Sequence, residues 1–120
     1  MNKLESLQQL GLTLSEAKTY LALLKIGETN VGNIIAESKL HRQIVYNALH
    51  KLEALKLVST QNEKGKKVFC PLDPAQLLRN LESKTDLALK LVPDLKSLLK
   101  SDSSTVQIKT YRGGTGLYEN

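Results

Sequence analysis

A small, mainly α-helical fold closed by one β-hairpin is predicted by three observations on this chain of 120 residues. Leucine dominates the apolar residues while glycine and proline are few, which favours helices. Between Asn30 and Thr60, apolar side chains recur at steps of three and four through two segments, then pass into a short β-prone run. Positive charge is confined to one stretch: Lys39 to Lys67 holds seven Lys/Arg and two Asp/Glu, while the remaining residues balance at ten of each sign. Helix, compact turn, second helix, strand and lysine-rich loop is the order of a winged helix-turn-helix. A long leucine-rich helix follows it.

Each element has a local cause. Leu4, Leu7 and Leu10 repeat at helical spacing, and Gly11 closes the first helix. Thr13 and Glu16 form a capping box that opens the second helix. That helix should bury Ala17, Tyr20, Leu21, Leu23 and Leu24 and stop at Gly27. Thr29 or Asn30 caps a third helix with Val31, Ile34 and Ile35 inward, ending near Ser38. Lys39-Leu40-His41 is a compact link with Leu40 turned inward. The fourth helix should run from Arg42 to Leu55 on a buried stripe of Val45, Ala48, Leu49, Leu52 and Leu55.

Leu57–Thr60 and Lys67–Cys70 read as a hairpin turning at Gly65. Asp73-Pro74 marks the next helix start, by an N-cap acid and a proline at the first helical position. From there Leu81, Lys84, Ala88, Leu91, Leu95 and Leu98 keep a near-heptad seam. Pro93 interrupts it, so a kink or break is expected around Leu89 to Val92. The organisation expected is a winged domain over 1–72, a dimerisation helix over 73–100, and a linker with a strand-like tail over 101–120. In that tail Val106 to Tyr111 alternates like a strand and leads into Arg112-Gly113-Gly114-Thr115-Gly116.

Composition narrows the function classes. The chain has 41% hydrophobic and 24% charged residues, a net charge of +5, and one cysteine. These suit a soluble globular protein without a disulfide or a cysteine-based zinc site. Cys70 is expected to be a small buried residue in a strand. No apolar run approaches a membrane span and the N-terminus does not resemble a signal peptide, so the expected location is the cytoplasm, at the nucleoid. His41 and His50 have no carboxylate at ligand spacing, and the glycine turn at 113–116 lacks the Gly-Lys-Ser/Thr end of a phosphate loop. Neither an enzyme nor a cofactor is expected.

The fourth helix is the candidate reader of double-stranded DNA. At about 100° per residue its stripe leaves Gln43, Asn47 and His50 on the opposite face, where amides suit adenine N6/N7 in the major groove. Arg42, Tyr46 and Lys51 flank that row and are assigned to phosphate, as are Lys64, Lys66 and Lys67 on the hairpin. The exposed seam of Leu81, Ala88, Leu91, Leu95 and Leu98 is assigned to a homodimer, which suits a palindromic site. The alternative is a winged-helix protein-interaction module that binds an acidic surface and has no specific affinity for DNA.

The chain also resembles the TrmB family of archaeal and bacterial transcriptional regulators over nearly its whole length. Leu10-Gly11-Leu12-Thr13 and Glu16 to Gly27 are similar to the family's opening "LGLT…EAkvYlaLLklG". Ile34-Ile35-Ala36 resembles its second-helix pattern, and Arg42, Val45-Tyr46, Leu49, Leu52, Leu57 and Val58 resemble "R…vY..L..Le..Glv". His41 stands where members often have Pro, and Lys56 where they often have Gly. The resemblance therefore requires Lys56 to take a left-handed backbone or the helix to end differently. Family members commonly continue into an effector-binding domain that recognises sugars in several cases. The residues around Ile108 and Arg112 resemble its beginning, so sugar recognition is not carried over and the effector stays unknown.

Overall fold

The structure is a computed structural model and describes residues 2–99. Five helices and one hairpin follow in the order α1 (Lys3–Gln9), α2 (Leu14–Ile26), α3 (Val31–Ser38), α4 (Arg42–Ala54), β1 (Val58–Glu63), β2 (Lys66–Pro71) and α5 (Gln76–Leu98). This is the mainly helical winged helix-turn-helix that the sequence predicts, with its long C-terminal helix. The chain divides into two compact units between Asn80 and Leu81.

The helix ends follow from local hydrogen bonding. Thr13 Oγ1 accepts from the Glu16 amide at 3.2 Å while Glu16 Oε1 accepts from the Thr13 amide at 3.0 Å, so the capping box is complete. A cap of this kind stabilises a helix by about 0.5–2 kcal/mol. Asn30, not Thr29, caps α3, its Oδ1 accepting from the Asn33 amide. Two helices end on the same six-residue device. The Gly11 amide donates to the Gln8 carbonyl and the Leu12 amide to the Leu7 carbonyl, closing α1. At the end of α4 the Lys56 amide donates to Glu53 and the Leu57 amide to Leu52. Both are Schellman closures with a left-handed residue at the turn, Gly11 at φ 110° and Lys56 at φ 61°. Lys56 takes the conformation that suits glycine.

The core lies among the helices and under the hairpin. Leu23, Ile34, Val45, Leu52 and Leu57 are wholly buried, with Tyr20, Leu49, Val58 and Phe69 beside them. Burying one such side chain contributes about 1.5–3 kcal/mol. α2 packs against α1, α3, α4 and β2, so it is covered on several sides. This corrects its expected burial: Leu24 is exposed and Leu21 half-buried, whereas Thr19 and Ala22 are buried. Leu55, expected on the buried stripe of α4, is its half-buried C-cap.

The hairpin is longer than predicted. β1 and β2 pair antiparallel from Val58↔Pro71 to Glu63↔Lys66. Lys64 and Gly65 alone join them, both at positive φ (52° and 80°), as a two-residue type I′ connection demands. Thr29 adds a bridge to Phe69 through paired backbone bonds of 3.0 and 2.7 Å, tying the α2–α3 link to the sheet. Thr60 also donates to the Glu53 carboxylate, fastening β1 to α4.

Asp73 and Pro74 form a tight turn ahead of α5, and regular helix starts at Gln76. Asp73 Oδ1 accepts from the Ala75 amide at 2.9 Å. Asn80 Nδ2 donates to the Leu55 carbonyl at 2.9 Å, satisfying an acceptor at the end of α4. α5 then runs through Pro93 without the break that the sequence allowed. From Leu81 onward all its described side chains are exposed. The linker and strand expected over 101–120, including Val106 to Tyr111 and the Arg112 turn, lie outside the described residues.

Candidate nucleic-acid interface

α4 is held by its inner side and presents its outer one. Val45, Ala48, Leu49 and Leu52 are buried to 2% exposure or less, which fixes the rotation of the helix about its axis. Gln43, Asn47 and His50 are all exposed, as the rotation from that stripe requires. Gln43 Nε2 donates to Asn47 Oδ1 at 3.0 Å, so the two amides share one hydrogen bond one turn apart. That bond orients both heads while leaving the Asn47 amide group and the Gln43 carbonyl open to a donor–acceptor edge.

The approach to α4 is as compact as its sequence implies. Lys39 takes φ 60° at the end of α3, a reversal usually left to glycine. Leu40 packs against the core, and His41 occupies the N-cap without a side-chain bond. The first amides of α4 therefore have no side-chain acceptor from the N-cap.

The flanking residues differ in setting. Arg42 and Lys51 are exposed, whereas Tyr46 is half-buried and leans on the core. Tyr46 thus has one side committed to packing and can offer only its polar end. On the hairpin, Lys64, Lys66 and Lys67 are all exposed. Alternation along β2 puts Lys67 on the face of Phe69 and Lys66 on the opposite one. The tip therefore carries charge on both faces as well as at the turn. Among the described residues the single ion pair joins Lys25 to Glu37, and none of these groups takes part in it. Arg42, Lys51, Lys64, Lys66 and Lys67 form no ion pair with a described carboxylate, which suits a phosphate-facing surface.

One feature of α4 lay outside the sequence reading. Ile44 is 37% exposed and borders a shallow depression of about 210 Å³ with Asn47 and Ala48, facing Thr13, Ser15 and Glu16 of the α2 start. Its angular position outside the buried stripe was the available signal. Cys70 is half-buried rather than buried; burial and the nearby Glu28 carboxylate push its thiol above the usual range. Among the described residues no cluster of His, Cys, Asp and Glu is arranged to hold a metal, and no helix is long and apolar enough to cross a membrane.

A family model described as "Sugar-specific transcriptional regulator TrmB" matches residues 7–75, more than half of the chain. The chain belongs to the TrmB family. The matched span runs from the end of α1 through both strands, so it contains all of α4 and the hairpin. Among solved structures, the archaeal chromatin protein TrmBL2, reported to show a novel mode of DNA binding, is 27% identical with a TM-score of 0.66. The match covers 79% of this chain and 37% of TrmBL2, so the TrmB-family chain described here spans well under half the length of that relative. BpsR of Bordetella bronchiseptica, whose DNA binding is regulated by 6-hydroxynicotinic acid, is 17% identical over 79% of this chain and 72% of its own, with a TM-score of 0.53. MepR of Staphylococcus aureus, a transcription regulator of the multidrug efflux pump MepA, is 19% identical over 83% and 75%, with a TM-score of 0.50. These two show the fold alone. No curated protein matches the chain.

Proposed function

We propose that this chain is a sequence-specific, double-stranded DNA-binding transcriptional regulator that occupies a palindromic operator as a homodimer. The observation that carries the reading is the outward row of Gln43, Asn47 and His50 on a helix whose rotation its buried side fixes. Such a helix fits the major groove, where amides match adenine N6/N7. Arg42, Tyr46 and Lys51 grip the adjoining phosphates, and Lys64, Lys66 and Lys67 reach the backbone beside the groove. Membership of a family of transcriptional regulators and the DNA binding of TrmBL2 support the reading.

The dimer rests on the second unit. Leu81, Ala88, Leu91, Leu95 and Leu98 form an exposed seam on the helix proposed, over 73–100, as the dimerisation element. Two copies of α4 related by a two-fold axis would meet half-sites about one helical turn apart. The protein would work at the nucleoid, without catalysis.

Selection of binding sites from a random duplex pool with the full chain tests this. An enriched palindrome is the expected result. Weak, sequence-blind retention would instead favour a domain that docks on an acidic protein surface.

A further inference from the structure

We infer that Ile44 reads the 5-methyl group of a thymine and is a specificity-determining residue of α4. The inference rests on the placement of α4 in the major groove proposed above. Gln43, Asn47 and His50 can read donor and acceptor patterns, but they offer nothing apolar to a thymine, whose distinguishing mark in the groove is a methyl. Ile44 supplies what the row lacks. It is the one large apolar side chain of α4 that is exposed, and it lies in the first helical turn, the part of a reading helix that meets base edges.

Its surroundings select a base edge over backbone. Rotation of about 60° separates Ile44 from Asn47, so both can address neighbouring base pairs. The depression beside Ile44 has Glu16 on its far wall, whose carboxylate is anchored to the Thr13 amide. A carboxylate there repels phosphate and tolerates a neutral methyl. Ile44 is also β-branched and stiff at χ1, so little rotamer freedom is lost when a methyl packs against it.

The experiment uses the operator enriched by the full chain and replaces each thymine singly by deoxyuridine, which removes the methyl and leaves every hydrogen-bonding group. The unmodified protein should lose affinity about fourfold at one thymine per half-site, the worth of one buried methyl-sized group. Ile44→Ala should bind the thymine and uracil operators equally, while Ile44→Val keeps the preference. Ile44→Gln, suited to an exposed helix position, replaces Ile44→Ala if that variant folds poorly. An operator without thymine in its half-sites, indifference of the unmodified protein to every replacement, or an undiminished preference in Ile44→Ala overturns the assignment. In each of these cases the enriched operator leaves DNA reading intact. A pool that enriches nothing overturns the DNA reading and this inference together.

Discussion

Tyr20 sits in the core at 1% exposure, and its hydroxyl has no hydrogen-bond partner among the described residues. Burial first, and the charge of Asp73 second, raise its pKa above the ordinary tyrosine value. The folded chain therefore holds this proton more tightly than the unfolded one. The stability tied to it is complete below the unfolded value of about 10 and is lost as pH climbs through the raised folded value. Tyr20→Phe should leave stability at neutral pH unchanged or higher by up to about 1 kcal/mol, since it removes an unpaired buried hydroxyl. Its stability should also fall less steeply above about pH 10. Urea midpoints at neutral and alkaline pH check both; a large loss at neutral pH would mean that the hydroxyl is bonded after all. On the surface, Asn47 is expected to behave oppositely. Asn47→Ala should leave folding intact, cost about 1–3 kcal/mol of operator binding and relax preference at one base pair. Equal weakening on operator and random duplex would remove it from base reading.

At the scale of elements, the closure of α4 offers a direct test. Lys56 sits at the left-handed position of a Schellman turn between the buried Leu52 and Leu57. A side chain in that conformation costs about 1–2 kcal/mol, part of which glycine gives back in unfolded-state entropy. Lys56→Gly should thus stabilise the fold by about 0.5–1 kcal/mol; destabilisation would show that the lysine side chain contributes packing. This turn was legible only through the family resemblance, in which glycine often stands at the position of Lys56. The sides of α2 were not, since α1, α3, α4 and β2 all cover it and no single stripe separates Leu24 from Ala22. Nor could the Thr29–Phe69 bridge be foreseen, because a lone backbone pairing leaves no side-chain pattern. The polar row of α4 is visible from rotation alone, whereas the same rotation sets Ile44 outside the stripe without marking it for a role, because an exposed isoleucine looks like any surface residue. The wing carries its own prediction. Replacing Lys64, Lys66 and Lys67 together should weaken all duplex binding and flatten the log–log salt dependence by up to about 0.9 per lost phosphate contact. A titration across salt concentrations with an unchanged slope would take the wing out of the interface.

For the whole molecule, the question is what covers α5. The helix continues through Pro93, which cannot donate to the carbonyl one turn back at Leu89, a defect that costs a helix interior about 3 kcal/mol. An isolated helix interrupted in this way is a poor folding unit, so something should stabilise it from outside. In the proposed dimer the exposed Leu91, Leu95 and Leu98 around the defect would supply this, because pairing with a second copy would bury them and the Leu81–Ala88 part of the seam together. Sedimentation of the full chain should therefore give a dimer, and Leu91→Asp with Leu95→Asp should give a monomer that keeps the fold of residues 2–80. That monomer should still bind a single half-site, but its affinity for the full palindrome should fall toward that of one half, since the gain from linking two reading helices is lost. Half-site and full-site titrations of both forms distinguish this from a direct defect in DNA contact, which would weaken both equally. A native chain that sediments as a monomer at micromolar concentration would remove the dimer and leave the seam to another partner.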